Sequence, residues 1–118
     1  PKREAKPMPK QDPARRKTDR RLGVPRSFRL FGHRVRVRVV RGDKWPHPKN
    51  TIGMWDPEQK LIDLWADQCD SALGQVFCHE LVHAMLDEIN EHTLSRNEKF
   101  VDNLASVLHQ ALTSFSNR

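Results

Sequence analysis

Tyrosine is missing from the 118 residues, and cysteine occurs only at Cys69 and Cys78. Two thiols do not make the disulfide framework that holds small secreted scaffolds together. No apolar run approaches the roughly 20 residues of a membrane-spanning helix, and no signal-peptide pattern is visible. The expectation is therefore a soluble, cytoplasmic chain with reduced thiols and no membrane partner. Internal repeats are also absent. The length suits one small domain whose core is adequate for folding but not generous.

What is present is an uneven charge. The net value of +6 is the sum of +7 over residues 1–26, +6 over 27–49 and −7 over 50–118. Residues 1–26 hold Pro1, Pro7, Pro9, Pro13 and Pro25, few apolar side chains, and the basic clusters Arg15-Arg16-Lys17 and Arg20-Arg21. That composition predicts a flexible basic tail, suited to contact with nucleic acid or an acidic partner, ahead of a domain over 27–118.

Phe28–Leu30 and His33–Val40 read as strands of a hairpin about Phe31-Gly32. Val35, Val37 and Val39 alternate with Arg34, Arg36 and Arg38, which places the valines on a core and the arginines on one solvent face. Such a row can bind phosphates, and it equally suits an edge strand guarded by charge against aggregation. A loop over 41–50 leads to short strands at Thr51–Trp55 and Lys60–Leu64, joined by the turn Asp56-Pro57-Glu58-Gln59. Trp45, Trp55 and Trp65 read mainly as core.

From about Ser71 the period becomes helical. Asp70 or Ser71 can cap a helix that runs to about Ile89. After a break over residues 90–95 a second helix starts near Ser95 or Asn97 and reaches about Phe115, with Phe100, Val101, Leu104, Val107, Leu108, Ala111 and Leu112 as its apolar stripe. Ser95 and Glu98 have the spacing of a capping box. The predicted fold class is α+β: a small, mainly antiparallel sheet followed by two packed helices.

Within the first helix stands His79-Glu80-Leu81-Val82-His83. Histidines four apart share a helical face, so two imidazoles converge on one metal ion, and the adjacent Glu80 is placed to accept a proton from water activated there. A purely structural zinc favours four protein ligands and Cys-rich sets, and Cys78, the immediate neighbour of His79, points elsewhere. A catalytic zinc takes three protein ligands. The third comes from among Glu98, Asp102, His92, His109, Asp87, Glu88 and Glu91. Asp87 and Glu91 recede along the helix of His83, so a ligand from the second helix is geometrically easier. Glu98 begins that helix, and Asp102 lies one turn further on.

This arrangement resembles the gluzincin metallopeptidases, and most of all the small ImmA/IrrE-like and related phage-type metallopeptidases. In these a short sheet precedes the H-E-x-x-H helix, and a glutamate lies on the next helix in a pattern like E-x-x-A-[ND]-x-[FL]-A. Glu98-Lys99-Phe100-Val101-Asp102-Asn103-Leu104-Ala105 matches that pattern with Val101 where alanine is usual, and the likeness extends over about residues 50–115. The resemblance implies His79, His83 and Glu98 as zinc ligands, Glu80 as general base, and a protein or peptide substrate, with a regulatory protease as one form. Asp102 is the substitute ligand or an orienting partner for a histidine.

The metzincin spacing would need glycine at 86 and histidine at 89, where Leu86 and Ile89 stand, so it is excluded. A SprT-like, DNA-associated protease would need a third histidine, for which His92 is nearest. Many gluzincins use tyrosine or histidine to stabilise the oxyanion. With no tyrosine, His92, His109, His47, an arginine, or zinc and backbone alone would serve. The competing class is a non-catalytic module that keeps zinc for folding and binds nucleic acid or protein through the tail and the face of Arg34, Arg36 and Arg38.

Overall fold

The computed structural model describes residues 23–116. The predicted tail therefore falls outside the described residues up to position 22. Val24, from its last positions, packs against the core, and the Arg26 carbonyl accepts from the Val37 N–H at 2.9 Å.

The fold is α+β. Strand β1 (Ser27–Leu30) pairs antiparallel with β2 (His33–Val40). Their two-residue loop has Phe31 at φ 50° and Gly32 at φ 80°. Two positive φ angles are what a tight hairpin with the native strand twist demands, and Gly32 adopts its angle without steric cost. After a 3-10 turn (Gly42–Lys44) come β3 (Gly53–Asp56) and β4 (Leu61–Trp65), an antiparallel pair. The Asp56 carboxylate secures their turn by accepting from the Glu58 and Gln59 N–H groups at 2.9 and 3.1 Å.

The sheet order is β1-β2-β4-β3. Most pairings are antiparallel, as expected, but the central pairing of β2 with β4 is parallel. The loop after β2 carries the chain past one strand position, and β4 then returns into the gap. This central place explains why Leu61, Ile62, Asp63 and Leu64 are all buried. It also leaves β3 as an edge strand, with β1 at the opposite edge.

Helix α1 (Asp70–Glu88) is the middle layer of the molecule. Phe77 and Ala84 join Val35, Val37, Trp55, Ile62 and Leu64 in a core against the sheet. On its other side Cys78, Val82 and Leu86 meet Val101 and Ala105 of helix α3 (Glu98–Thr113). A helix that is apolar on two sides needs uncharged flanks, and this is the physical reason for the run around the histidine pair. Truncating a fully buried aliphatic side chain such as Val82 or Val101 costs on the order of 2 kcal/mol or more. Among the described residues no helix is long and apolar enough to cross a membrane.

Local details at the helix ends differ from expectation. The N-cap of α1 is Cys69, without a side-chain cap bond, rather than Asp70 or Ser71. The α1 C-terminus closes on Asn90 at φ 64°, with the Glu91 N–H reaching the Leu86 carbonyl and the Asn90 N–H the Asp87 carbonyl, a Schellman closure. A single-turn helix, α2 (His92–Ser95), fills the expected break. Ser95 consequently cannot cap α3. Asn97 does so, its Oδ1 accepting from the Phe100 N–H at 3.1 Å, and Glu98 becomes the first helical residue instead of the third. The capping-box expectation is thereby corrected.

Candidate metal centre

Two turns of α1 and the start of α3 bring three donors together. The His79 and His83 rings stand 5.0 Å apart, centroid to centroid. Glu98 divides its carboxylate between them, with Oε1 3.1 Å from His79 Nε2 and Oε2 3.4 Å from His83 Nε2. One donor atom from each of the three residues lies within 4.8 Å of the others. Ligands about 2.0–2.1 Å from a tetrahedral zinc are separated by roughly 3.3 Å, and each His–Glu spacing is near that value, made to a different oxygen of the one carboxylate. The release of Glu98 from capping leaves its side chain available for this role.

The remaining nitrogen of each ring has its own partner, which fixes which nitrogen faces the centre. His79 Nδ1 lies 2.8 Å from Asp102 Oδ1. His83 Nδ1 lies 3.1 Å from the hydroxyl of Ser95, which is buried. The same hydroxyl hydrogen-bonds Asp87, whose carboxylate also accepts from Trp55 Nε1 at 2.8 Å and faces His92 Nδ1 at 2.9 Å. Burial alone would raise the Asp87 carboxyl, but these hydrogen bonds hold it below the usual range. Burial lowers the pKa of His83, which favours the neutral ring that a metal ligand requires.

Glu80 is 8 % exposed and lies beside the pair, against β3. Burial pushes its carboxyl up to about 7. The charge on His79 pulls the other way, Glu98 adds to the rise, and a hydrogen bond from the Trp55 N–H lowers it. Gly53 makes the room: a Cβ there would stand 3.1 Å from Glu80 Oε2 and 2.6 Å from Val76 Cγ1. The pairing of the Trp65 N–H with the Ile52 carbonyl and of Met54 with Asp63 sets the alternation along β3. Met54 directs its backbone polar groups to β4, while those of Gly53 and Trp55 face the free edge.

Two clefts flank the donors. One, of about 470 Å³, runs along Thr51–Met54 and includes Val76, Glu80 and Asp102. The other, of about 620 Å³, runs past Trp55 and Pro57 and includes Asp87, His92, Ser95 and Arg96. His79, His83 and Glu98 stand where these clefts meet, with His83, Glu80 and Glu98 lining both.

The residues singled out from the sequence separate clearly. His79, Glu80, His83 and Glu98 come together, and Asp102 sits behind His79 as an orienting partner. His92 lies in the second cleft but turns its Nδ1 to Asp87, so it is no third histidine of the donor set. His109 is on α3 seven residues beyond Asp102, about 10 Å along the axis, and lines neither cleft. His47 bonds Asp63, and Glu88 pairs with Lys60 and His33. Trp55 is buried beside the second cleft, whereas Trp45 and Trp65 are half-buried.

Three contributors escape a sequence reading. Ser95 reads as a cap, and Asp87 reads as pointing away from the metal. Gly53 had a signal, because glycine inside a strand marks a close approach by another group. Comparisons with protein-family models, curated proteins and solved structures find nothing that matches this chain.

Proposed function

We propose that this chain is a small zinc metallopeptidase of the gluzincin type, of the kind the ImmA/IrrE-like sequences represent. One observation carries the reading: two imidazole nitrogens and the Glu98 carboxylate converge beside a buried carboxylate, Glu80, at the junction of two clefts. The mixed nitrogen and oxygen donor set suits zinc.

His79, His83 and Glu98 would hold a zinc ion, which would supply the Lewis acid that makes water nucleophilic near neutral pH. Glu80 accepts the proton that water loses as its oxygen bonds to the scissile carbonyl carbon, and returns it to the amine nitrogen as the C–N bond breaks. The raised basicity of Glu80, a consequence of burial, suits both transfers. His92, held through Nδ1 by Asp87, lines the second cleft and, as the doubly protonated imidazolium, is the donor for the carbonyl oxygen in a chain without tyrosine. A peptide lies along β3, pairing with the outward backbone groups of Gly53 and with the Trp55 carbonyl.

The test is Glu80→Gln in the full chain, assayed on a fluorogenic peptide library with metal content measured in parallel. The expected result is about one zinc per chain in both proteins and at least a ~100-fold loss of cleavage in the variant. Protein purified without chelator yet lacking metal, or cleavage unchanged by the substitution, would sink the proposal.

A further inference from the structure

The sheet has a second face, opposite α1. Its central row is Arg34, Arg36 and Arg38, all exposed, while the alternating Val35 and Val37 are buried against the helix. Residues two apart on a strand are about 7 Å from one another. The hairpin register places Arg29 of β1 directly opposite Arg34, and Ser27 opposite Arg36. Like charges directly opposed on one face weaken a sheet, so an anion bound across this pair would relieve the repulsion.

That anion is not in the described part of the fold. Among the described residues, Arg29, Arg34 and Arg36 have no carboxylate within ion-pair distance. The one buried acid on this face, Asp63, is already engaged. Arg38 donates to its two oxygens at 2.8 and 3.0 Å, and His47 lies 2.8 Å from Oδ2. Asp56, at the other side of the face, holds its own turn. The negative charge of the chain instead gathers in residues 50–118, which carry −7 and include the acids of the metal cleft.

We propose that the face formed by Arg29, Arg34 and Arg36 docks the phosphodiester backbone of a nucleic acid, without sequence preference, and so leaves the metal cleft turned away from the polymer. Guanidinium groups take phosphate through paired hydrogen bonds. A row of them at two-residue steps follows successive phosphates, and contacts to the backbone alone carry no sequence information. Arg38, fixed by Asp63, stiffens the row. The proposal stands whether or not the cleft hydrolyses peptides.

The experiment is fluorescence anisotropy of the full chain with a labelled mixed-sequence oligonucleotide, single-stranded and as duplex, between about 50 and 200 mM salt. Affinity should fall linearly in log salt. Arg34→Gln with Arg36→Gln should flatten the slope by about 1.4 for the single strand or about 1.8 for the duplex, and Arg29→Gln should remove roughly half as much again. Metal content should not change. An unchanged slope in the double variant overturns the proposal and assigns binding to the basic residues before position 23, which stay intact. Tighter binding to phosphatidylserine vesicles than to either oligonucleotide at equal salt overturns it as well. Circular dichroism checks the fold. If the glutamine variant does not fold, Arg34→Lys with Arg36→Lys decides: weaker binding with the slope retained supports paired phosphate contacts, and unaltered binding refutes them.

Discussion

Asp102 Oδ1 lies 2.8 Å from His79 Nδ1, one helical turn beyond Glu98 on α3. One helix therefore provides both a donor to the centre and the group that orients a second donor. Asp102→Ala should leave the fold intact and weaken zinc binding about 10- to 100-fold, read by competition with a chromophoric chelator. Affinity equal to that of the parent chain would show that the contact does not orient His79.

Gly53→Ala places a methyl group 2.6 Å from Val76 Cγ1 and 3.1 Å from Glu80 Oε2. Valine is stiff about its first side-chain torsion, so relief has to come from the strand or from Glu80. The expected cost is about 1–3 kcal/mol in urea unfolding. Any peptidase activity should fall further than this loss of stability explains, because Glu80 is the proposed base.

Arg38→Gln addresses the buried Asp63. Burial by itself would raise the Asp63 carboxyl, but hydrogen bonds from Arg38 and His47 outweigh it and hold the pKa below the ordinary value. A depressed folded-state pKa contributes stability that is present above the unfolded value and is lost as pH falls through the folded one. The parent chain should therefore lose stability on acidification below about pH 4, the ordinary carboxylate range. With its partner half exposed, the pair contributes only about 1–2 kcal/mol. Melting temperature followed from pH 7 to pH 3 should fall less steeply in Arg38→Gln, from a lower starting point. Parallel curves would contradict this account.

The two thiols should react in a fixed order. Cys78 is fully buried and burial pushes its thiol up to about 11, whereas Cys69 is exposed and hydrogen bonds from Ser71 and Ala72 lower its pKa. Iodoacetamide near pH 8 should label Cys69 within minutes and spare Cys78 until the protein unfolds. Mass spectrometry of the digested protein distinguishes the sites, and early labelling of Cys78 would mean that the packing of α1 on α3 opens readily.

The parts of this fold that are legible in the sequence are those set by local spacing. His79 and His83 face one way because they are four apart in a helix, and Val35 and Val37 face the core because they alternate, whereas Val39, expected there too, is exposed near the end of the strand. Easier reach from a second helix points to Glu98 or Asp102, and the resemblance to gluzincins is what selects Glu98. Long-range placement left no such mark. Nothing local to β4 announces that it pairs parallel with β2, although a charged Asp63 inside the apolar stretch Leu61–Leu64 signals a buried partner. Ser95 carried a misleading signal, since its distance from Glu98 suits a capping box while the hydroxyl is used by His83. The short helix that causes this, His92–Ser95, is too brief to show a period.

The hydrogen bond between Glu80 and the Trp55 N–H has a consequence for anything that adds to β3. Backbone groups on a strand edge recur every second residue, so a guest strand can ordinarily slip by two and pair again. Here one rung of that ladder is already occupied, and by the residue proposed to move the proton. A guest is left with the rungs at Gly53 and the Trp55 carbonyl, and alignments that require the Trp55 N–H have to displace Glu80. The same carboxylate that would cleave a bond thus limits which bond can be brought to it.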